Sequence, residues 1–265
     1  MKNILVPIGN RKSGLNTLRY AVEFAKAFDA KLYLAHVYSS TIVSGSFMNI
    51  DDVLLKQTKE LLKEYLDQLD TSTVKIQIVP MKGTDIKSSL ELIITEFNID
   101  LIISSAKTDD SGKEYFIGRI TGSLIKDTST PVLIVPKTAS FKPIKKILMT
   151  LRSGSFKSIT TLDPLITIQK KYDSRVHLLL VETPQFKPED AELDDTLKSM
   201  IKKQIHTRNE TVYQGVLEYL HEEDPDVLCV VRRKRGFFSK LWENDRVKKI
   251  DFESVVPLLI LKGLS

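Results

Sequence analysis

Cationic side chains are the residues of this chain whose types and spacing point most directly to chemistry. Arg119 stands where a helix is predicted to begin, and Lys107 and Lys113 lie in the polar loop before it. Because the amino terminus of a helix favours negative charge, these residues could meet an anion such as a phosphate. A second group, Arg232–Arg235, is followed by aromatic residues, which suits phosphates, nucleic acid, an acidic protein or simply a solvated turn.

Catalytic and metal-binding motifs give no comparable signal. The sequence contains no G-x-x-x-x-G-K-[ST] loop, no G-x-G-x-x-G turn and no G-x-S-x-G elbow. Its histidines are scattered and lack metal-ligand spacing, and two of them fall within predicted strands. Runs of acidic residues such as Glu222-Glu223-Asp224 are interpreted as solvated charge rather than as acid–base pairs. We therefore expect no catalytic residues and no metal site. The histidines are His36, His177, His206 and His221.

The composition is that of a globular protein. The chain has 265 residues, 42% of them hydrophobic and 28% charged, with a net charge of +5, which fits one large or two ordinary domains. No apolar run approaches the roughly 20 residues that cross a bilayer, so no membrane partner is expected. The run Ile4–Ile8 is too short for a signal peptide, which predicts a cytoplasmic protein. Cys229 lies in an apolar run and is expected to be buried and inert.

Internal repetition indicates a duplicated chain. Four strand-like segments recur in the same order in the two halves. The last two pairs of segments are separated by nearly the same number of residues, 126 and 125, which favours two copies of one unit over a single large domain. The pairs are Lys2–Val6 with Lys145–Met149, Lys31–Val37 with Arg175–Val181, Asp100–Ile103 with Asp226–Cys229, and Pro131–Lys137 with Val256–Lys262.

Amphipathic helices are predicted between these strands. In the first half the order is βαβαβαβαβ, with Val74–Val79 as the third strand and Ile117, Ile120, Leu124 and Ile125 on a fourth helix. Continuous apolar strands that alternate with helices predict a parallel sheet covered on both faces, joined by right-handed crossovers. In the second half a helix is predicted over Glu189–Ile205, and Pro164 is placed in the first turn of another helix capped by Asp163.

The fold class that follows is α/β, with two tandem doubly wound domains of Rossmann-like type. Each is expected to hold a mainly parallel five-stranded sheet flanked by helices. The predicted boundaries are 1–138 for the first domain, 139–143 for a linker and 144–265 for the second domain. In such sheets ligands bind outside the carboxyl ends of the strands, where the strand order reverses.

One long stretch carries a family resemblance. Ser104–Thr121, followed by a helix and then by Thr130–Pro136, resembles the signature of the universal stress protein A family. Together with the duplication, the chain resembles a tandem universal stress protein. The resemblance implies an adenine-nucleotide α-hydrolase-like fold and a non-catalytic role in the response to stress.

The resemblance also locates a candidate nucleotide pocket in the first domain. Nucleotide-binding members carry three glycines and a hydroxyl residue in this loop; here Ser105, Thr108 and Gly118 take the glycine positions and Arg119 the hydroxyl position. The aspartate expected after the first strand is replaced by Gly9, whereas the His36–Val37 pair is retained. The candidate pocket residues are Pro7, Gly9, Val37, Ser105, Lys107, Thr108, Gly118, Arg119 and Ile120.

Serine and threonine at glycine positions alter what this loop can bind. They forbid the positive φ angles and the close backbone approach that cradle a triphosphate, although their hydroxyls still form hydrogen bonds. We therefore expect a degenerate pocket in the first domain, with ATP or another adenine nucleotide as its candidate cofactor, and no such pocket in the second. A fully ATP-binding protein of the same family is the alternative, and a nucleotide hydrolase is less favoured.

Partners are predicted from the resemblance and from charge. The family pairs the last strands of neighbouring domains, so Pro131–Val135 and Pro257–Leu261 are the expected contact of an internal pseudo-dimer. Two tandem chains could pair again as a homodimer. The Arg232–Arg235 segment offers a further alternative, a module that binds a polyanion or an acidic protein.

Overall fold

The computed structural model describes residues 1–8, 13–38, 50–82, 86–105, 107–108, 115–116, 128–151, 158–232 and 256–262. It divides the chain into two compact units. Unit 1 comprises Met1–Lys107 and Ile117–Phe141, and unit 2 comprises Thr108–Phe116 and Lys142–Ser265. The break between Phe141 and Lys142 lies within residues 139–143.

Unit 1 is built from alternating strands and helices. Two short strands lie between its fourth and fifth long strands in sequence: the unit boundary divides Lys107–Thr108, and Tyr115–Phe116 belongs to unit 2. The predicted fourth helix falls outside the described residues. The elements are β1 (Asn3–Pro7), α1 (Ser13–Phe28), β2 (Lys31–Tyr38), α2 (Ile50–Leu66), β3 (Ile76–Lys82), α3 (Ile86–Glu96), β4 (Leu101–Ser105), β5 (Lys107–Thr108), β6 (Tyr115–Phe116) and β7 (Val132–Val135).

The five long strands of unit 1 are parallel and ordered β7-β4-β1-β2-β3. Residues 4–6 of the central strand are fully buried, and Leu5 faces Tyr33 of β2 on one side and Ile102 of β4 on the other. Burial on both faces explains why these strands read as continuous apolar runs. Strand β3 begins later than predicted because the amide of Val74 donates to the carbonyl of Thr71 in the preceding turn.

Unit 2 repeats this plan with different connections. Its parallel strands are ordered β10-β9-β8-β11-β12, the same winding as in unit 1. The prediction of two tandem doubly wound domains is therefore confirmed. The elements are β8 (Lys146–Leu151), a 3-10 helix (Ile159–Leu162), α4 (Asp163–Tyr172), β9 (Arg175–Glu182), a 3-10 helix (Pro188–Ala191), α5 (Asp195–Met200), β10 (Ile201–Arg208), α6 (Val212–Glu223), β11 (Val227–Arg232) and β12 (Leu258–Lys262).

The predicted helix over Glu189–Ile205 is wrong in extent. Helix α5 covers only Asp195–Met200, and the chain then continues as β10, which pairs with β9 from Ile201 to Arg208 with one register shift between Ile201 and Lys203. Ile201 and Ile205 lie four residues apart and so mimic a helical face. Backbone hydrogen bonding along β9 outweighs that local pattern, since pairing satisfies the amides and carbonyls of the edge strand.

At the start of α4, the predicted position of Pro164 is confirmed, whereas the predicted cap by Asp163 is wrong. Pro164 lies in the first turn, where its missing amide costs nothing. Asp163 is already helical and forms no side-chain cap, because its own amide donates to the carbonyl of Thr160 in the preceding 3-10 helix. The two helices therefore follow one another without an open end for Asp163 to cap.

Four residues with positive φ mark equivalent helix ends in the two units. Asp29 (49°) follows α1 and Asp173 (51°) follows α4, each just before the second strand of its unit. Asn98 (47°) and Asp224 (38°) come after α3 and α6, before the fourth strand. Asp and Asn tolerate this left-handed conformation better than most residues. Within the described part of the chain, no helix has the length and apolar character to span a membrane.

Candidate functional site

The candidate site of unit 1 lies at the carboxyl ends of its central strands. Strands β1 and β4 are neighbours at the point where the winding of the sheet reverses direction. Pro7 is the last residue of β1 and Ser105 the last residue of β4, and both are half-buried. The sheet therefore brings these two predicted residues to the edge at which doubly wound proteins bind ligands.

A buried histidine fixes the chain where it leaves β1. The Nδ1 of His36 lies 2.7 Å from the carbonyl oxygen of Ile8, and the amide of Ile8 donates to the carbonyl of Ala35 at 2.8 Å. Because a carbonyl only accepts, Nδ1 carries the proton and donates. His36 is 6% exposed, so it positions the backbone next to Gly9 rather than offering a surface to a ligand.

This contact was missed by the sequence reasoning, which retained His36 only as part of a family pattern. The available signal was a polar side chain inside an apolar strand. Buried polar groups are nearly always hydrogen-bonded, so such a histidine predicts a partner on a neighbouring strand end.

The other predicted pocket residues divide into two groups. The backbone of Val37 lies in β2 opposite Met81, and Lys107 and Thr108 form β5. The rest of the predicted pocket falls outside the described residues, and so does the cationic segment except for Arg232, the last residue of β11. The pocket residues outside the described ranges are Gly9, Gly118, Arg119 and Ile120.

The equivalent edge of unit 2 is chemically different. Thr150 occupies the register position of Pro7, and its hydroxyl donates to the carbonyl of Leu179 at 3.2 Å. Leu180 occupies the position of His36, so no imidazole holds the end of β8. Cys229 in β11 has no exposed surface, as predicted, and burial raises the pKa of its thiol. In the described ranges, no three His, Cys, Asp or Glu side chains form a group that could hold a metal ion.

At the opposite, amino end of the unit 2 strands, four side chains form what we call the Glu223 cluster: Lys146, His177, Lys203 and Glu223. The Nδ1 of His177 lies 2.5 Å from Oε2 of Glu223, Lys146 Nζ lies 2.9 Å from the same oxygen, and Lys203 Nζ lies 2.5 Å from Oε1. The Nζ of Lys146 also donates to the backbone carbonyl of Glu223. Glu223 was interpreted from the sequence as solvated charge, but it is only 4% exposed.

Two opposing influences set the protonation of Glu223. Burial raises its pKa, since a charge is costly away from water, but hydrogen bonds from Lys203, Lys146 and His177 together outweigh burial. The result is a pKa of about 2 against an ordinary 4.5. The cluster thus keeps a buried carboxylate ionised, which the acidic triplet in the sequence did not reveal because its hydrogen-bond donors come from three different strands.

The architecture is that of Rossmann-like α/β proteins, and comparison with known proteins gives the family. Residues 1–136 match the universal stress protein family, so the chain belongs to that family. A universal stress protein of Methanocaldococcus jannaschii is 25% identical over 141 residues, which cover 51% of this chain and 82% of that protein.

Solved structures show the same fold over both units. A universal stress protein of Archaeoglobus fulgidus is 17% identical, with 98% of each chain covered and a TM-score of 0.73. A protein of unknown function from Pseudomonas aeruginosa is 14% identical, with 99% of this chain and 92% of that chain covered and a TM-score of 0.59. The pseudo-dimer contact, the homodimer and the partner at Arg232–Arg235 stay predictions from the sequence.

Proposed function

We propose that this chain is a non-catalytic, cytoplasmic regulator of the stress response whose unit 1 keeps a degenerate adenine-nucleotide pocket and whose unit 2 has none. Membership of the universal stress protein family supports the stress-response role. The proposal that unit 1 binds nucleotide only weakly is supported by the conformation of the backbone that follows β4.

The observation that carries the proposal is the conformation of this segment. Ser105 still belongs to β4, where it pairs with Val135, and Thr108 lies in the short strand β5. Both residues stand at positions that the family pattern gives to glycine. Extended backbone has negative φ, whereas a loop that wraps phosphates with successive amides needs residues in the left-handed region. The segment is therefore better suited to a strand than to a phosphate cradle.

Unit 2 departs further from a nucleotide pocket. Where unit 1 has His36 bonded to the backbone beyond β1, unit 2 has Leu180. Thr150 uses its hydroxyl on a neighbouring strand and is only 2% exposed, so it offers nothing to a ligand.

Mass spectrometry of the small molecules released when the purified protein is denatured tests the proposal. We expect no adenine nucleotide at a stoichiometric level. An equimolar nucleotide in the released fraction would overturn the degenerate pocket.

The non-catalytic part is tested separately by incubating the protein with ATP. Phosphate release should match a buffer blank. Release that increases in proportion to the protein concentration, in preparations from independent purifications, would show that the chain is a hydrolase.

A further inference from the structure

Unit 2 contains a concave site that the nucleotide proposal does not use. A cavity of about 650 Å³ opens between the ends of β9 and β10 and the first turns of α6. Its volume lies in the range of small-molecule sites. It also lies at the carboxyl ends of parallel strands, on the same edge of the sheet as the reversal of strand order between β8 and β11.

One wall of the cavity carries a guanidinium group with donors to spare. The Nε of Arg208 donates to Oε2 of Glu182 at 2.8 Å, and this hydrogen bond keeps the pKa of Glu182 below its ordinary value. The contact uses only one of the five N–H donors of arginine. The side chain of Arg208 is 88% exposed, so its terminal nitrogens can bind a carboxylate that enters from solvent.

The lining from α6 and the loop before it carries carboxylates. Glu218 accepts a hydrogen bond from Nδ2 of Asn209 at 2.9 Å, which holds it against the loop that also bears Glu210. Gly215 makes this arrangement possible: a Cβ there would lie 2.8 Å from Oδ1 of Asn209 and 2.7 Å from a methyl group of Val181. The position of Asn209, and through it that of Glu218, therefore depends on a glycine.

Pro184 and Phe186 add apolar surface to the lining of the cavity. We propose that this cavity binds a basic amino acid. The carboxylate of this amino acid binds Arg208, its two ammonium groups bind Glu210 and Glu218, and its methylene chain packs against Phe186. A triphosphate does not suit the site, because three carboxylates face it for one guanidinium.

Truncated ligands test this assignment on the unmodified protein. Calorimetry compares L-lysine with cadaverine, which lacks the carboxylate, and with norleucine, which lacks the side-chain ammonium. L-lysine should bind at least about tenfold more tightly than either, since each lacks one charge-assisted contact. No saturable heat with millimolar L-lysine, or equal binding of cadaverine, would overturn the proposal.

Two variants assign the contacts. Arg208→Gln should remove the preference for L-lysine over cadaverine, whereas Lys202→Gln, an equal change of charge at an exposed residue of the same strand, should leave it intact. Glu218→Gln should weaken the binding of L-lysine and of cadaverine about tenfold, and Glu192→Gln, at an exposed residue, is its control. A preference that survives Arg208→Gln, or controls that weaken binding as much as the pocket variants, would contradict the site.

Discussion

The two units solve the same packing problem at the amino ends of their strands with different chemistry. In unit 1 the ring of Tyr33 stacks on Phe97 with 4.6 Å between centroids, and Nδ2 of Asn3 donates to the carbonyl of Phe97 at 3.0 Å. Phe97 follows α3, so this contact fastens the end of a helix to the first two strands. Gln77 on β3 lies next to Tyr33 in the register.

In unit 2 the same four positions form the Glu223 cluster. His177 replaces Tyr33 and Glu223 replaces Phe97, while Lys146 donates to the Glu223 carbonyl as Asn3 does to that of Phe97. Lys203 faces His177 in the register, as Gln77 faces Tyr33. The fold therefore requires a contact between the helix end and the strands, but it does not dictate whether that contact is aromatic or ionic.

The aromatic contact of unit 1 and the ionic contact of unit 2 should respond differently to pH and salt. An aromatic stack gains from burial and from ring geometry, neither of which depends on pH. A buried ion cluster gains from charge pairing but must offset desolvation, so removing one partner leaves the others uncompensated. Substitutions and changes of pH or salt can therefore distinguish the contact in unit 1 from the contact in unit 2.

The largest effect is expected from Glu223→Gln, which leaves Lys146 and His177 without their carboxylate. We expect unit 2 to lose about 3 kcal/mol of its free energy of unfolding, the lower range for a broken buried ion pair. Hydrogen exchange of α6 and β8 amides measures this loss, with the exposed neighbour Glu222→Gln as control. A loss below 1 kcal/mol, or equal losses in the two variants, would mean that the cluster does not hold unit 2 together.

Acid should weaken unit 2 through the same carboxylate. The pKa of Glu223 is lowered from 4.5 to about 2, so an unfolded chain takes up a proton as the pH falls below 4.5 while the folded chain resists until about pH 2. The stabilisation is complete above pH 4.5 and decreases through this window, by roughly 2 kcal/mol at pH 3. Exchange rates of unit 2 amides at several pH values should show this slope in the wild type and a shallower one in Glu223→Gln, where the lowered pKa values of Glu182 and Asp226 still contribute; parallel slopes would contradict the assignment.

The aromatic counterpart should give a smaller effect that depends only weakly on salt. Tyr33→Leu keeps a buried apolar side chain but removes the stack on Phe97 and the contact of the ring with Nζ of Lys31, 4.6 Å from its centroid, which together cost unit 1 about 1 kcal/mol. Denaturation at low salt and in concentrated NaCl should give nearly the same cost. A cost that depends strongly on salt would show that this position is also electrostatic, and the contrast between the units would disappear.

The smallest effect is expected at the rim of the cluster. The Lys203 side chain is 54% exposed, so Lys203→Met should lower the stability of unit 2 by only about 0.5 kcal/mol at low salt and by less in concentrated NaCl. Lys202→Met, at the exposed residue beside it, serves as the control. Exchange of β10 amides is the measurement, and an effect as large as that of Glu223→Gln would break the distinction between core and rim.

Much of the fold could be predicted from the sequence because the buried parallel strands are apolar throughout. The matched segments that begin at Asp100 and Asp226 also proved structurally equivalent. The carboxylate of Asp100 accepts hydrogen bonds from the amides of Lys2 and Asn3, and that of Asp226 from the corresponding amides, Lys145 and Lys146. The aspartate at equivalent positions of the two halves thus marked a hydrogen-bonding contact that both units form.

The missed features depend on contacts between distant parts of the chain. Strand β10 lies at the edge of the unit 2 sheet and buries only Ile205, so its sequence lacks the apolar run that identifies inner strands. The burial of Glu223 is imposed by three strands and has no local signature. In the candidate site, the strand ends at Pro7 and Ser105 were predictable, whereas the hydrogen bond from His36 to Ile8 required the register of β1 and β2.

Calorimetric titration of the whole protein with ATP tests the functional proposal most directly. The wild type should give no saturable heat at micromolar ATP, and the double variant Ser105→Gly, Thr108→Gly should bind ATP about tenfold more tightly than the wild type, because glycine restores the loop's access to left-handed backbone. Micromolar affinity in the wild type, unchanged by the two glycines, would contradict the degenerate pocket in unit 1.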